Sequence, residues 1–291
     1  MSEDNRTNYR TRLPSSLYLE LDKGATEPFT GRMISKEEEA INVGPKNSPI
    51  IRAMVIDYES ISDWLPERKL NYFDLLVHDA IWTLYANGIT VFTVSTVTKV
   101  ISGKPTLNPS KKQEESVRDS IARLLSTSVK IAFSQECEKY QNMGINSRET
   151  YYEGHLVSGE IITERINNRY SDAVVRIFRK PILGELADMK NQVTTVSNRL
   201  LSVPVKLDVN TYILRDYLLR KIFRKDRRKK NSERVIIFET LWKYLSISND
   251  EYMVKKRTVE KIETILSYWK KENLIISYKI SAGKIIIVPT L

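Results

Sequence analysis

The sequence predicts an α+β fold of two domains, each made of three helices closed by a β-hairpin. Three observations predict it. First, amphipathic helices followed by a hairpin occur twice along 291 residues, a length that suits two domains rather than one. Second, the last helix, 255–271, runs directly into the hairpin formed by 274–280 and 284–288. Third, charge is concentrated with that helix: 199–291 holds 21 Lys and Arg against 10 Asp and Glu, whereas the other residues hold 25 against 26, for a net charge of +10 overall. A basic helix feeding a hairpin has the order of a recognition helix and its wing. The fold expected is therefore two winged-helix domains in tandem, the first with an enlarged antiparallel sheet.

Residues 1–49 are interrupted by Gly24, Pro28, Gly31, Gly44, Pro45 and Pro49 and read as an irregular arm. The first domain is expected over 50–180. It opens with a buried strand in the run Ile50 to Ile56. Phe73, Leu76, Val77, Ala80, Ile81 and Leu84 then recur at spacings of three and four, giving an amphipathic helix that ends at Asn87-Gly88. Thr93 can cap a short helix over 94–102, closed by Gly103. Ser110 and Gln113 form a capping box for a third helix that buries Val117, Ile121, Leu124 and Leu125. Alternation over 128–134 and runs at 151–157, 160–166 and 174–178 predict the strands of the enlarged sheet.

A connector is expected over 181–207, with a helix near 183–190 and then extended chain over 201–207. The second domain, 208–291, repeats the order. A helix over 210–225 buries Ile213, Leu214, Tyr217, Leu218 and Ile222, and one over 233–245 buries Val235, Ile236, Phe238, Leu241, Trp242 and Leu245. The third, 255–271, buries Val259, Ile262, Ile265, Leu266 and Trp269 and ends in the hairpin turned by Ser281-Ala282-Gly283. The two blocks share an order of elements without sharing a residue-level repeat.

Composition limits the chemistry. The single cysteine, Cys137, allows no internal disulfide and no cysteine-rich zinc site. His78 and His155 lie in different elements and form no H-x-H or H-x-x-x-H pair, so no metal site is expected; His78, on an apolar helix, reads as a packed or capping residue. Gly103-Lys104 lacks the upstream glycine of a phosphate loop, since Thr98 stands there. No nucleophile elbow appears. The sequence therefore predicts no catalytic residues, no cofactor and no enzyme. No apolar run reaches the roughly 20 residues that span a bilayer, and the polar start MSEDNRTNYR is not that of a secretory signal, so a cytoplasmic protein is expected.

Basic residues point instead to a polyanion. On the last helix, Arg257, Lys261, Thr264 and Tyr268 are spaced to share one ridge from which they could reach base edges. Lys255, Lys256, Lys270 and Lys271 would flank them on backbone phosphates. The run containing Arg224, Arg227, Arg228, Lys229 and Lys230 would hold phosphates without reading sequence. Lys279 and Lys284 flank the wing turn. In the first domain, Lys111, Lys112, Arg118 and Arg123 are interleaved with Glu114, Glu115 and Asp119, which fits an auxiliary DNA contact or a protein interface. Strand edges over 128–178 could pair with a second copy.

The order of FDLLVHDAIWTLYANG, VFTVSTVTKVISG, ESVRDSIARLLSTSVKIAF and YILRDYLLRKIFR, closed by the last helix and its wing, resembles the tandem winged-helix replication initiators of plasmids and related mobile elements. The likeness covers most of the chain from Leu70 onward. It implies binding to directly repeated origin sites through the C-terminal winged helix, with the N-terminal one serving dimerisation or further DNA contact. It also implies opening of an adjacent AT-rich segment and recruitment of host helicase-loading and initiation proteins, with no active site required. A dimeric winged-helix transcription regulator without a replication role is the alternative. An adaptor that docks a protein on the mixed-charge helix 110–127 is the other.

Overall fold

The computed structural model describes residues 9–12, 51–56, 72–132, 151–163, 165–166, 169–170, 173–189, 193–223 and 233–290. The expected arm over 1–49, apart from one short strand, and the basic run 224–230 lie outside the described residues. In chain order the elements are β1 (Tyr9–Arg12), β2 (Ile51–Ile56), α1 (Tyr72–Ala86), β3 (Val91–Thr93), α2 (Val94–Ser102), α3 (Lys111–Ser126) and β4 (Thr127–Ala132). They continue as β5 (Tyr151–His155), β6 (Gly159–Ile162), β7 (Arg165–Ile166), β8 (Arg169–Tyr170), β9 (Val174–Ile177), α4 (Ile182–Met189), β10 (Val193–Val196) and α5 (Asn198–Leu201). The last are α6 (Val209–Phe223), β11 (Arg234–Ile237), α7 (Phe238–Tyr244), α8 (Tyr252–Lys271), β12 (Ile275–Ser281) and β13 (Lys284–Pro289). The fold is mixed helix and sheet, with small antiparallel sheets.

The chain divides into two compact units, one made of Arg10–Thr98 and Pro109–Thr194, the other of Met1–Tyr9, Lys99–Asn108 and Thr195–Leu291. The stretch read as a connector is thus shared out at 194/195, and 99–108 is grouped with the C-terminal part of the chain.

In the first unit α1 is buried around nearly its whole girth, from Phe73 to Leu84, and packs on α3 through Val117, Ile121 and Leu124. Gly88 ends α1 at φ 78°, the left-handed conformation that glycine adopts without a Cβ clash. Thr93 caps α2 through Oγ1, which accepts from the Thr96 amide at 3.2 Å. The capping box forms as expected: the Gln113 amide donates to Ser110 Oγ, and the Ser110 amide donates to Gln113 Oε1 at 2.9 Å. Helix α4 comes so close to α1 that a Cβ on Gly184 would stand 2.6 Å from the Trp82 ring.

Two expectations are corrected here. The strands over 128–178 do not make one enlarged sheet. They split into β2-β4-β5 and β3-β9-β6, with β7-β8 apart. The break falls at Leu156-Val157, whose side chains go into the core: the Leu156 amide still bonds to Thr127 O at the start of β4, but the Val157 amide leaves the ladder for Leu124 O of α3. Second, Arg123 is not a surface cation. Its guanidinium is buried against the α1 carboxylate Asp74, with Nη2 to Oδ1 at 2.6 Å and Nε to Oδ1 and Oδ2 at 3.1 and 3.2 Å. Ion-paired, it is tolerable inside; it has no charge left for a phosphate.

In the second unit β11, β13 and β12 form a sheet with β13 at its centre, and α8 packs on it through Ile262, Ile265, Leu266 and Trp269. The β12–β13 hairpin is closed by the two residues Ala282 and Gly283, between the paired Ser281 and Lys284. The helix expected over 233–245 begins only at Phe238, because 234–237 is β11. Ile236 is buried while Val235 and Ile237 are exposed, a period of two. Three β-branched residues in a row favour the strand, and pairing with β13 completes it.

The order helix, strand, helix, helix, two paired strands occurs twice along the chain. It is first α1, β3, α2, α3, β6 and β9, with β4 and β5 inserted before β6 and β7 and β8 before β9, and then α6, β11, α7, α8, β12 and β13. Both sheets place the first strand beside the third and the third beside the second.

Candidate nucleic-acid interface

The expected reading helix is α8, extended by three residues at its start. Its buried side is set by Ile262, Ile265, Leu266 and Trp269, and its C-terminal end is fastened by polar contacts. Trp269 Nε1 donates to Leu200 O at 2.8 Å and Tyr268 Oη donates to Arg199 O at 2.8 Å. Arg199 in turn pairs with Glu272 at 2.7 Å. Burial and the Glu272 charge raise the Tyr268 phenol above its ordinary pKa, against the opposing pull of Arg199. Lys261 is held as well: its Nζ donates to Thr211 Oγ1 at 2.7 Å and to Asp208 Oδ2 at 3.0 Å. Asp208 caps α6 by accepting from the Thr211 amide and hydroxyl, both at 2.8 Å. Burial alone would raise its carboxyl, but the bonds from Thr211 and Lys261 bring it below the usual carboxylate value.

The ridge read from the sequence is thus divided. Lys261 and Tyr268 lean back onto α6 and α5, whereas Arg257 and Thr264 remain exposed. The Thr264 hydroxyl donates to Glu260 O at 2.9 Å. Lys255 is half-buried: it donates to Asn249 O and Oδ1 and lies 6.0 Å from the Trp242 ring centre. Lys256, Lys270 and Lys271 are exposed. Between the cationic ends lie Glu260, Glu263 and Ser267, also exposed and not among the ridge residues expected from the sequence.

The start of α8 has an unusual make-up. Its first turn carries no acidic residue, and Glu251, at the N-cap, makes no side-chain cap but accepts from the Ser248 amide at 2.6 Å. Cations here add to the positive pole of the helix, a cost of a few tenths of a kcal/mol for exposed groups. The turn also exposes Tyr252, Met253 and Val254, at 72%, 55% and 39%. Lys279 and Lys284 are exposed, and the register puts both on the same face of the β12–β13 hairpin, two residue pairs apart.

The charge surplus of the C-terminal third is partly internal. Arg215 is fully buried and donates to Leu201 O at 2.9 Å and Ile101 O at 2.7 Å, and Arg220 is buried against Asp216 at 2.6 Å. In the first unit Lys111 and Lys112 are exposed at the start of α3, Arg118 reaches Thr163 Oγ1 at 3.5 Å, and Arg123 is internal. Asp208 was legible as a cap, since Asp208 and Thr211 stand at cap spacing; its partnership with Lys261, 53 residues on, was not.

His78 lies in the core with Nδ1 3.4 Å from Asp79 Oδ1. Among the described residues no group of three or more His, Cys, Asp and Glu is gathered to hold a metal, and no helix is long and apolar enough to cross a membrane.

No protein-family model matches the chain. No curated protein is significantly similar to it. Among solved structures it is similar to a crystal structure of domains 2 and 3 of RctB, at 13% identity and a TM-score of 0.42, over 86% of this chain and 90% of that one. A second crystal structure of RctB domains 2–3 is similar at 13% identity and a TM-score of 0.39, over 74% of this chain and 81% of that one.

Proposed function

We propose that this protein is a sequence-specific double-stranded DNA-binding protein, built on two winged-helix units, that initiates replication from repeated sites at an origin. The observation that carries the DNA-binding reading is the exposed side of α8, where Lys256 and Arg257 extend the positive pole of a helix whose first turn has no acid. That helix is followed by a hairpin with Lys279 and Lys284 on one face. Arg257 offers guanine a bidentate donor pair, and exposed Tyr252 and Met253 suit thymine methyls. Lys256, Lys270 and Lys271 would meet phosphates and set register. Binding several sites together would store free energy as bent or melted duplex, and the work needs no catalytic group.

The initiator role is supported by the resemblance in element order to tandem winged-helix initiators, and host helicase-loading proteins and a homodimer enter the proposal on the same ground. Its test is selection of bound fragments from random duplex by the full chain. Enrichment of one motif, bound more tightly as direct repeats than as an inverted pair, is expected. Preference for the inverted pair would move the assignment to a dimeric transcription regulator, and salt-dependent binding without any enriched motif would remove sequence specificity altogether.

A further inference from the structure

Resting on the DNA-binding reading of α8, we infer that Glu260 and Glu263 are specificity-determining residues, which select base pairs presenting a cytosine amino group to the helix. Both are exposed, and Glu263 stands one turn beyond Glu260. Cations lie at both ends of the same side, Lys256 and Arg257 before them and Lys270 and Lys271 after them. At 1.5 Å of rise per residue the two cationic ends are roughly 20 Å apart, more than the roughly 12 Å width of the major groove. A helix set obliquely in that groove can therefore bring Lys256 at one end and Lys270 and Lys271 at the other to phosphates of the two backbones, while its middle faces base edges.

The middle of the helix is where a carboxylate is tolerable. Against a phosphate, Glu260 and Glu263 would add like-charge repulsion; against the groove floor they meet a mixture of donors and acceptors. A carboxylate only accepts hydrogen bonds. Guanine offers N7 and O6 and thymine offers O4, all acceptors, so these bases are repelled. Cytosine N4 is a donor with no acceptor beside it on the same base, whereas adenine N6 lies next to the acceptor N7. Cytosine is thus the base that matches. Exclusion contributes as much as attraction here, because the penalty against guanine or thymine widens the gap between right and wrong sites. Thr264 and Ser267 flank the pair with small hydroxyl groups that leave room for close approach.

The test compares motifs selected from random duplex by the wild-type full chain and by Glu260→Gln and Glu263→Gln, with affinities for the enriched sequence and its single-base variants at one salt concentration. Both positions are exposed, so the fold should persist; a thermal melt of each variant checks that. The wild type is expected to prefer cytosine by about fivefold or more at one or two positions. Each glutamine variant is expected to flatten one of those preferences while binding random duplex more tightly. An unchanged motif, with every affinity raised by the same factor, would overturn the inference and leave the DNA-binding reading standing. No enrichment by the wild type would overturn both.

Discussion

Arg257 and Arg123 have the same side chain and opposite expected phenotypes, because one is exposed on α8 and the other is buried against Asp74. Arg257→Ala should weaken binding to the selected motif by about 1–3 kcal/mol and random duplex much less, measured by titration on both. Equal losses would show that Arg257 holds only phosphate. Arg123→Ala should leave DNA specificity alone and cost about 3–5 kcal/mol in urea unfolding, since it strands a buried carboxylate. Asp208 adds a pH signature. Its carboxyl is depressed by Thr211 and Lys261, so its contribution is present above the unfolded-state value near 3.9 and fades as pH falls through the folded one. The side chain is half exposed, so Asp208→Asn should destabilise by less than about 1 kcal/mol at pH 7, a difference that closes towards pH 3.

At the scale of elements, helices were the legible part. The apolar spacing of 72–86, the capping box at Ser110 and the four core positions of α8 were all readable, because helix periodicity and caps are local. Strands β3 and β11 were not. Three or four β-branched and aromatic residues beside a helix extend its apolar pattern, and only pairing with β9 and β13 fixes them as strands. The candidate site was half legible for a related reason. Exposure of Arg257 and Lys256 follows from period alone, whereas Lys261 and Tyr268 are turned inward by partners far along the chain, at Asp208 and Arg199. Close packing gives the element-level prediction: Gly184→Ala would drive a Cβ into the Trp82 ring and should destabilise the first unit, by about 1–3 kcal/mol in urea unfolding. Unchanged stability would mean that α4 can shift away from α1.

Across the whole molecule, the sequence surplus of the C-terminal third overstates the charge open to a partner. Arg215 and Arg220 are internal, and Lys261 is tied to Asp208, so among the described residues the exposed cations of the candidate surface are Lys256, Arg257, Lys270, Lys271, Lys279 and Lys284. Replacing Arg227, Arg228, Lys229 and Lys230 by glutamine should weaken motif and random duplex alike. It should also lower the slope of log affinity against log salt by up to about four, one for each lost phosphate contact. A slope that does not move would place this run away from the duplex.

The discontinuity of the second unit has a genetic consequence. Ser202 Oγ donates to Gly103 O at 2.6 Å, Lys104 Nζ to Val203 O at 3.2 Å, and a Cβ on Gly103 would come within 2.5 Å of Leu201 Cβ. A recombination event that exchanged everything after residue 194 for a homologous tail would bring in a new α5 and α6 but keep the old 99–108. Chimeras with one junction should then express poorly. Those that also transplant 99–108, with two further junctions, should recover, so the heritable module here is more than one stretch of gene.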